Sequence, residues 1–199
     1  MPAASPEAPS AEAIGLIQRL KLPAPSDTAY AETRFVHVLR KPLQLRGELH
    51  YGGAGVLGKR VDDPYRETTK IANGEVEVQR EGKAARTFSL ERAPELQVML
   101  ASFSALLGGN ADSLAAQFAI AMTRHDAGWQ LTLTPRAPEI ARHLRDLVVD
   151  GRDAEVRCVT LHESDGDASV MRLSALATTS LPEVTPAAIA NVCRGSAAH

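Results

Sequence analysis

The chain has 199 residues, which is enough for one domain with a sizeable hydrophobic core. Its formal net charge of −2 and its aromatic content of 4% exclude the strongly basic or aromatic surfaces that bind nucleic acid or an anionic membrane. The sequence has no run of about 20 apolar residues, so no membrane-spanning helix is predicted.

The N-terminal segment, MPAASPEAPSAE, is rich in proline, alanine and serine. It has no charged start followed by an apolar core, so no signal peptide is predicted in this chain. We interpret residues 1–9 as a flexible tail, typical of the start of a mature exported protein, and residues 10–199 as a single domain.

An amphipathic helix is predicted next, over residues 10–20. Ser10 suits its N-cap, and the helix carries an apolar stripe formed by Ile14, Ile17 and Leu20. The segment LPAPSD then ends it.

Two alternating segments follow, and both are predicted strands. Residues 28–39 place Phe35 on one face, and residues 43–51 show the most regular alternation in the chain. Gly47 lies in the middle of the second strand and indicates a bend or the close approach of another element. A polar face in contact with solvent and an apolar face packed on the core are typical of an antiparallel sheet.

Short strands joined by turns make up most of the remaining chain. They are predicted at residues 56–61, 65–72, 75–80, 85–90, 119–124, 129–134, 147–150, 154–163 and 169–176. Turns are predicted at 62–64, 73–74, 81–82, 126–128, 150–151 and 165–167, with Asn73-Gly74 the strongest hairpin signal. A short helix is predicted at 138–145 and a last helical turn at 186–192.

The connections define the predicted fold class. Neighbouring strands joined by turns are antiparallel, and a sheet of about ten or eleven strands curls on itself. We therefore predict a mainly β (α+β) fold, in which a strongly curved antiparallel sheet forms an incomplete barrel with helices across its concave face.

The segment 94–118, PELQVMLASFSALLGGNADSLAAQF, is the long stretch that is both apolar and helically periodic. Its apolar residues share one helix face: Leu96, Met99, Leu100, Phe103, Leu106 and Leu107. Ser102 and Ser104 are predicted on the opposite face. Gly108-Gly109 is expected to end the helix, and Asn110 or Asp112 to cap a second helix over 113–117. We predict that this helical pair forms an apolar plug or lid on the sheet.

The inward strand faces supply the other candidate binding residues. They are Phe35, Leu45, Leu49, Tyr51, Ile71, Val76, Val78, Phe88, Ile120, Met122, Trp129, Leu131 and Leu133. These residues either form plain core against the lid or line a cavity for an apolar ligand, as curved sheets with helical covers often do. Smooth aliphatic walls would suit an acyl chain.

Cys158 and Cys193 are the two cysteines, and neither lies in a spacing typical of metal ligands. They are either two small buried residues or a disulfide that ties the C-terminal segment to a late strand. A disulfide would require an oxidising compartment. Their spacing leaves both alternatives open.

Motifs that resemble catalytic or nucleotide sites lack their required context. Residues 53–59, GAGVLGK, match both GxGxxG and the opening of a P-loop, but Asp62-Asp63-Pro64 follows instead of a phosphate-binding helix. No histidine pair has HxxxH or HExxH spacing, GxSxG is absent, and Asp165 and Asp167 indicate a turn. We predict no catalytic residue, metal site or cofactor.

The order of these features resembles the LolA family of periplasmic lipoprotein carriers. The helix is followed by Phe35, then PLxxxGxLxY over 42–51, Asp63-Pro64, IxNG over 71–74, paired strands and the helical segment. The resemblance spans roughly residues 12–175. The strings PEL at 94–96, LLGG at 106–109 and WxLxLxP at 129–135 are similar to a LolA-related branch that is associated with export of acylated or polyene-type lipids.

The resemblance implies an unclosed β-barrel with an α-helical lid and a non-enzymatic function. The acyl chain of a lipoprotein or lipid-like molecule would be carried through the periplasm from an inner-membrane exporter to an outer-membrane acceptor by a soluble monomer. In family carriers an arginine just after the strand equivalent to 49–51 helps to hold the lid shut. Here Gly52-Gly53 occupy that neighbourhood, and the nearest basic residues are Lys59 and Arg60.

Two other functions remain open from the sequence. A regulatory module that binds a protein partner through the same fold would have a tightly filled interior and no extractable lipid. An enzyme acting on an acylated substrate would need a histidine or carboxylate at a cavity mouth.

Overall fold

The computed structural model describes residues 8–125, 127–181 and 183–195; residues 1–7 of the predicted tail over 1–9 and the predicted turn residue Asp126 lie outside them. The strands are β1 (Ser26–Phe35), β2 (Leu43–Gly53), β3 (Val56–Asp63), β4 (Glu67–Ala72), β5 (Glu75–Arg80), β6 (Arg86–Ser89), β7 (Phe118–His125), β8 (Gly128–Pro135), β9 (Leu144–Arg152), β10 (Glu155–Glu163) and β11 (Ala168–Leu173). The helices are α1 (Ala11–Arg19), α2 (Pro94–Leu107), α3 (Ala111–Gln117), α4 (Pro138–Ala141) and α5 (Pro186–Arg194).

All eleven strands form one antiparallel sheet, in the order β6-β5-β4-β3-β2-β1-β11-β10-β9-β8-β7. The edge strands β6 and β7 do not pair with each other, so the barrel is incomplete and the predicted fold class is confirmed. These edge strands are consecutive in the chain. The connection between them, which contains α2 and α3, must therefore cross the sheet from one edge to the other.

Helices α1, α2 and α3 begin or end at the capping residues that the sequence predicts. The Ser10 hydroxyl accepts a hydrogen bond from the Ala13 N–H at 3.2 Å, and the Asn110 carboxamide oxygen accepts one from the Ser113 N–H at 3.0 Å. Gly109 adopts a φ of 69° after α2, which confirms the predicted glycine termination. The fully buried face of α1 comprises Ala13, Leu16 and Ile17, with Leu20 beyond its end, whereas Ile14 is half-buried.

The first strand is shorter than predicted. β1 ends at Phe35 because residues 36–39 turn, with the Leu39 N–H donating to the Val36 carbonyl at 2.9 Å. The His37 N–H bonds to the Asp167 carboxylate at 2.9 Å, which fixes the turn to the β10–β11 connection. Apolar alternation continues through residues 36–39, so no local sequence signal marks the end of the strand there.

The predicted turn at 150–151 is also wrong, because both residues lie within β9. The chain turns two residues later, at Asp153, which has a φ of 52°. Gly151 instead provides room for the Trp129 indole: a Cβ on Gly151 would lie 2.1 Å from that ring. Asp150 is buried and accepts a hydrogen bond from the Gln130 amide at 2.9 Å.

Two further boundaries differ from the prediction. The helix predicted at 138–145 ends as α4 at Ala141, and β9 already begins at Leu144. The last strand ends at Leu173, and a 3-10 helix, Ser174–Thr178, takes up the rest of the predicted strand.

Gly47 confirms the predicted close approach. A Cβ at this position would lie 1.8 Å from the Arg60 carbonyl oxygen of β3, and the β2–β3 register shifts between Arg46 and Gly47. The glycine turn after β2 is also confirmed as a turn between strands, with Gly53 at a φ of 104° and Gly55 at 77°.

The sheet separates two packed layers. Its inner face, defined here as the face that packs against α1, α2 and α3, carries the main core. Its outer face carries α5, whose Cys193 is bonded to Cys158 of β10 with an S–S distance of 2.06 Å. This bond resolves the two alternatives for the cysteines. Among the described helices, none is long and apolar enough to cross a bilayer.

Candidate functional site

An apolar cavity lies between α2, α4 and the strands β9 and β10. Its volume is about 190 Å³, and most of its wall is hydrocarbon. The lining residues are Val98, Met99, Ser102, Phe103, Phe118, Ile140, His143, Leu144, Leu147, Leu161 and Glu163. Helix α2 closes one side and the inner face of the sheet closes the other.

A second and more open hollow of about 350 Å³ lies beside the first, between α2, the end of α3 and the start of α4. Val98 and Ile140 line both spaces and therefore form the partition between them.

Only part of the predicted site lines the cavity. Met99 and Phe103 do so, as part of the predicted lid face of α2. Other apolar residues of the same face of α2 lie on either side of the cavity. Leu96 and Leu100 pack toward β3–β6, whereas Leu106 packs into the core beneath α1 and α3. Helix α2 thus bridges the two ends of the sheet.

The predicted strand residues are distributed over three clusters. Ile120, Trp129, Leu131 and the partly buried Met122 fill the core under α1 and α3. Ile71, Val78 and Phe88 pack with the first half of α2. Leu45 and Leu49 surround Tyr30.

The remaining predicted residues lie at the ends of the lid or outside the site. Tyr51 is buried with its hydroxyl beside Gly108, at the C-terminus of α2. The Leu107 carbonyl accepts a hydrogen bond from the Leu22 N–H at 2.8 Å.

The prediction that Phe35 lines the cavity is wrong. It packs beside Val170 and Ile189 in the cluster around the disulfide, on the outer face of the sheet. Side chains alternate along a strand, so an assignment that is wrong by one position moves a residue to the opposite face. Both faces of β1 are buried between Tyr30 and Thr33, so the alternation of apolar residues could not identify the inner face there.

Sequence reasoning missed most of the cavity wall. Ile140 and Leu144 lie in a segment that the sequence predicts as one short helix, so their contribution to the cavity wall is not predicted. Leu147 and Leu161 belong to strands for which the sequence pattern does not identify the inner face. Ser102 was predicted on the exposed face of α2, but it is only 2% exposed and donates to the Val98 carbonyl one turn earlier. α4 covers this side of α2, so the helix is buried over more of its circumference than one stripe indicates.

Few polar groups border the cavity. Burial, together with the neighbouring Asp165 and Asp167, raises the pKa of the Glu163 carboxyl. His143 lines the same mouth, and its backbone carbonyl accepts from the Ser164 N–H at 3.0 Å. The mouth is therefore located where α4 meets the end of β10.

A charged cluster occupies another part of the inner face. Glu32 of β1 is only 4% exposed and accepts hydrogen bonds from Lys59 of β3 and from the Arg34 Nε at 2.7 Å. Burial alone would raise the pKa of Glu32, but Lys59 and Arg34 outweigh burial and hold it below its ordinary value. Burial lowers the pKa of Lys59 despite the attraction of Glu32.

Lys59 and Arg60 point to opposite faces. Lys59 lies over the Tyr30 ring at 5.0 Å on the inner face, whereas Arg60 bonds to Glu48 and Asp62 at 3.1 and 3.0 Å on the outer face. Within the described residues, neither basic group bonds to α2. Helix α2 is instead linked to the β2–β3 turn by the Gly55 N–H, which donates to the Ser104 hydroxyl at 3.3 Å.

His37, Asp165 and Asp167 bring three potential metal-ligand atoms within 4.8 Å of one another at the surface. The arrangement is explained by the turn itself, since the His37 ring nitrogen already bonds to Asp167 at 2.6 Å and the Asp165 carboxylate accepts from the Asp167 N–H at 3.0 Å. These contacts fix the loop after β1 and do not define a cation site.

Comparisons with known proteins were made against families, curated proteins and solved structures. A LolA superfamily protein from Nitrosomonas europaea aligns over 88% of this chain and 96% of that chain, with 10% identity and a TM-score of 0.47. An outer membrane lipoprotein-sorting protein domain from Vibrio parahaemolyticus aligns over 91% and 97%, with 10% identity and a TM-score of 0.43. Among curated proteins the search finds no match.

The family comparison covers nearly the whole chain. The model described as "Outer membrane lipoprotein carrier protein LolA-like" matches residues 3–197. This protein therefore belongs to the LolA-like family of outer membrane lipoprotein carrier proteins.

Proposed function

We propose that this protein is a non-enzymatic periplasmic carrier that binds the acyl chain of a lipoprotein or another lipid-like molecule beneath α2 and moves it from the inner to the outer membrane. The observation that carries the proposal is the apolar cavity between α2 and the inner face of β9 and β10. Membership of the LolA-like family supports the same function.

The size of the cavity indicates how binding must proceed. An engineered protein cavity of about 150 Å³ binds benzene, so the 190 Å³ space holds a similarly small hydrocarbon group when α2 is in place. Burying six methylenes contributes about 5 kcal/mol, whereas micromolar affinity needs about 8 kcal/mol. A long acyl chain therefore requires the second hollow, or a displacement of α2, in addition to the closed cavity.

The attachment of α2 is compatible with such a displacement. Its N-cap residue, Ala93, makes no side-chain capping bond, and its apolar residues contact two separate clusters rather than one continuous core. Each contact is non-directional apolar packing, which an acyl chain can replace with equivalent packing. We propose that cargo takes the place of lid contacts, which limits the free-energy cost of opening.

The disulfide supports the proposed compartment. Cys158 and Cys193 are joined, and structural disulfides persist mainly in oxidising compartments such as the periplasm. Reduction of these cysteines in the cytoplasm would leave α5 without its covalent tie to β10.

The test compares two aspartate substitutions on the same helix. Phe103→Asp places a carboxylate at the cavity wall, whereas Gln97→Asp places one at an exposed position of α2. A buried carboxylate cannot be solvated by an acyl chain, so Phe103→Asp should abolish binding of a fluorescent fatty acid, and Gln97→Asp should retain it. Circular dichroism should report an intact sheet in both variants.

Two results would contradict this assignment. Equal binding by both variants would mean that the cargo lies elsewhere. A wild-type protein that binds no acyl probe while it captures a protein partner would favour the regulatory module.

A further inference from the structure

The inner face of the sheet has two halves of different polarity. In β7–β10 most inward positions are apolar, as in Ile120, Leu131, Leu147 and Leu161, and the charged exceptions, Arg124 and Glu163, lie at strand ends. Directly paired residues of neighbouring strands share a face, and this pairing places charged side chains on the inner face of β1–β5. They are Glu32, Arg34, Lys59, Glu67 and Arg80. These are three cations and two anions, so this half is net positive although the chain carries −2 overall.

The centre of the charged half is the buried Glu32 cluster. One carboxylate, 4% exposed, lies between an ammonium group and a guanidinium group. Buried ion pairs contribute little net stability, because desolvation offsets their attraction. A role in binding therefore accounts for their place on the inner face better than stability does.

The two cations keep donors for a further ligand. Lys59 is 25% exposed and Arg34 40% exposed, so both remain accessible from the inner side. An ammonium group has three N–H donors and a guanidinium five, more than the Glu32 contacts use. The Tyr30 hydroxyl of the same cluster is buried without a hydrogen-bond partner among the described residues. The cluster thus offers surplus donors and a net charge of +1, which suits an anion.

The cluster and the cavity lie on the same face at a distance that one amphiphile can span. Arg34 pairs with Ser169 of β11, and Ser169 pairs with Leu161 of β10, which lines the cavity. Two strand spacings correspond to about 10 Å. Burial, Asp165 and Asp167 raise the pKa of the Glu163 carboxyl at the cavity mouth, and Arg34 is near enough to oppose them.

We infer that the cargo is an amphiphile with an anionic oxygen group, a carboxylate or a phosphate, which Arg34 and Lys59 bind while the hydrocarbon tail occupies the cavity under α2. This inference rests on the proposed carrier function and adds the chemical class of the head group. The anion joins Glu32 as a second partner of the two cations.

The experiment uses matched probes of one chain length: a fatty acid, the corresponding fatty alcohol, a lysophosphatidic acid, and inorganic phosphate without a tail. Wild-type protein should bind the acid and the lysophosphatidic acid about tenfold to a hundredfold tighter than the alcohol, the range expected for charge-assisted hydrogen bonds. Inorganic phosphate should bind far more weakly than either lipid. Phosphate that binds as tightly as the lipids would assign the cluster to a free anion and overturn the inference.

Lys59→Met should remove most of the preference for the anionic probes while the alcohol affinity stays unchanged. Arg60→Met is the control, since it removes the neighbouring cation from the outer face. Lys59→Met leaves Glu32 without one partner, so a double variant with Glu32→Gln is needed as well. The double variant keeps the net charge of the cluster at the wild-type +1 but lacks the ammonium donors, so it should still lose the preference for the anionic probes.

The outcomes separate this inference from the function on which it rests. Equal wild-type affinity for acid and alcohol would overturn the head-group site but leave the carrier intact. A loss of alcohol binding together with acid binding in a folded Lys59→Met variant would also overturn it. Failure of every lipid probe to bind wild-type protein would overturn both.

Discussion

The disulfide between Cys158 and Cys193 makes a quantitative prediction about stability. The two cysteines are 35 residues apart in sequence, and their side chains are 0% and 2% exposed. Loop-closure entropy for a loop of this length corresponds to about 4 kcal/mol at 25 °C. Because α5 packs against the outer face through this cluster, replacement of both cysteines by alanine should destabilise the protein by about that amount.

Urea unfolding followed by circular dichroism measures the effect. With a slope of about 1–3 kcal/mol per molar urea, the midpoint of the double-alanine variant should fall by more than about 1 M. Reduction of wild-type protein should produce a similar fall and should leave the variant unchanged. Acyl binding should survive in the variant, since the cavity lies on the opposite face of the sheet.

Two outcomes would refute this reasoning. A difference below about 1 kcal/mol between oxidised and reduced wild-type protein would mean that the crosslink does not constrain the unfolded chain as the loop model requires. A loss of acyl binding in a folded double-alanine variant would mean that the inner and outer layers are not independent.

Three other substitutions test separate parts of the account. Ile140→Ala removes the partition between the two hollows, so it should cost about 2–5 kcal/mol in urea unfolding yet increase the affinity for longer acyl chains relative to shorter ones. Gly47→Ala places a Cβ 1.8 Å from the Arg60 carbonyl oxygen, so it should destabilise the fold by about 1–3 kcal/mol or more. Burial alone would raise the pKa of Asp146, but hydrogen bonds led by that with His162 outweigh burial and lower it. Asp146→Asn should therefore lower stability near neutral pH, and its deficit should disappear as the pH falls through the lowered pKa of the wild-type carboxyl.

Each of these predictions has a contrary result. An Ile140→Ala variant with an unchanged chain-length preference would mean that the hollows act separately. A Gly47→Ala variant as stable as wild type would mean that β2 and β3 can separate locally without cost. A deficit of Asp146→Asn that persists at low pH would assign the effect to packing rather than to charge.

The sequence predicted the architecture because its signals were local. The Asn73-Gly74 dipeptide adopts φ values of 55° and 75°, as a tight hairpin requires, and Asn110 caps α3 as predicted. The apolar stripe of α2 was likewise visible as a helical period. The resemblance to the LolA family is confirmed by the family match over residues 3–197.

The predicted cavity wall depended on non-local information. Alternation shows that a strand has two faces, but the inner face of β1 is decided by what packs on each side. Glu32 and Thr33, adjacent residues with opposite orientations, are both buried, so the sequence pattern favoured neither face. Phe35 was consequently assigned to the cavity, although it packs against the disulfide cluster on the outer face.

The charged cluster was missed for a related reason. Glu32, Arg34 and Lys59 look like ordinary solvent-facing strand residues in the sequence. They meet on the inner face because β1, β2 and β3 are neighbours in the sheet. In the sequence Lys59 stands out only as one of a basic pair with Arg60, and no sequence signal distinguishes its inward direction from the outward direction of Arg60.

The central claim is that the space beneath α2 holds an acylated or lipid-like cargo, and native mass spectrometry of protein isolated from its native host tests it most directly. The account predicts a discrete mass adduct that extracts as an acyl or polyene lipid with an anionic group and is lost in Phe103→Asp. A clean unliganded mass, from a protein that also takes up no added fatty acid, would contradict the account and leave the interior as plain core.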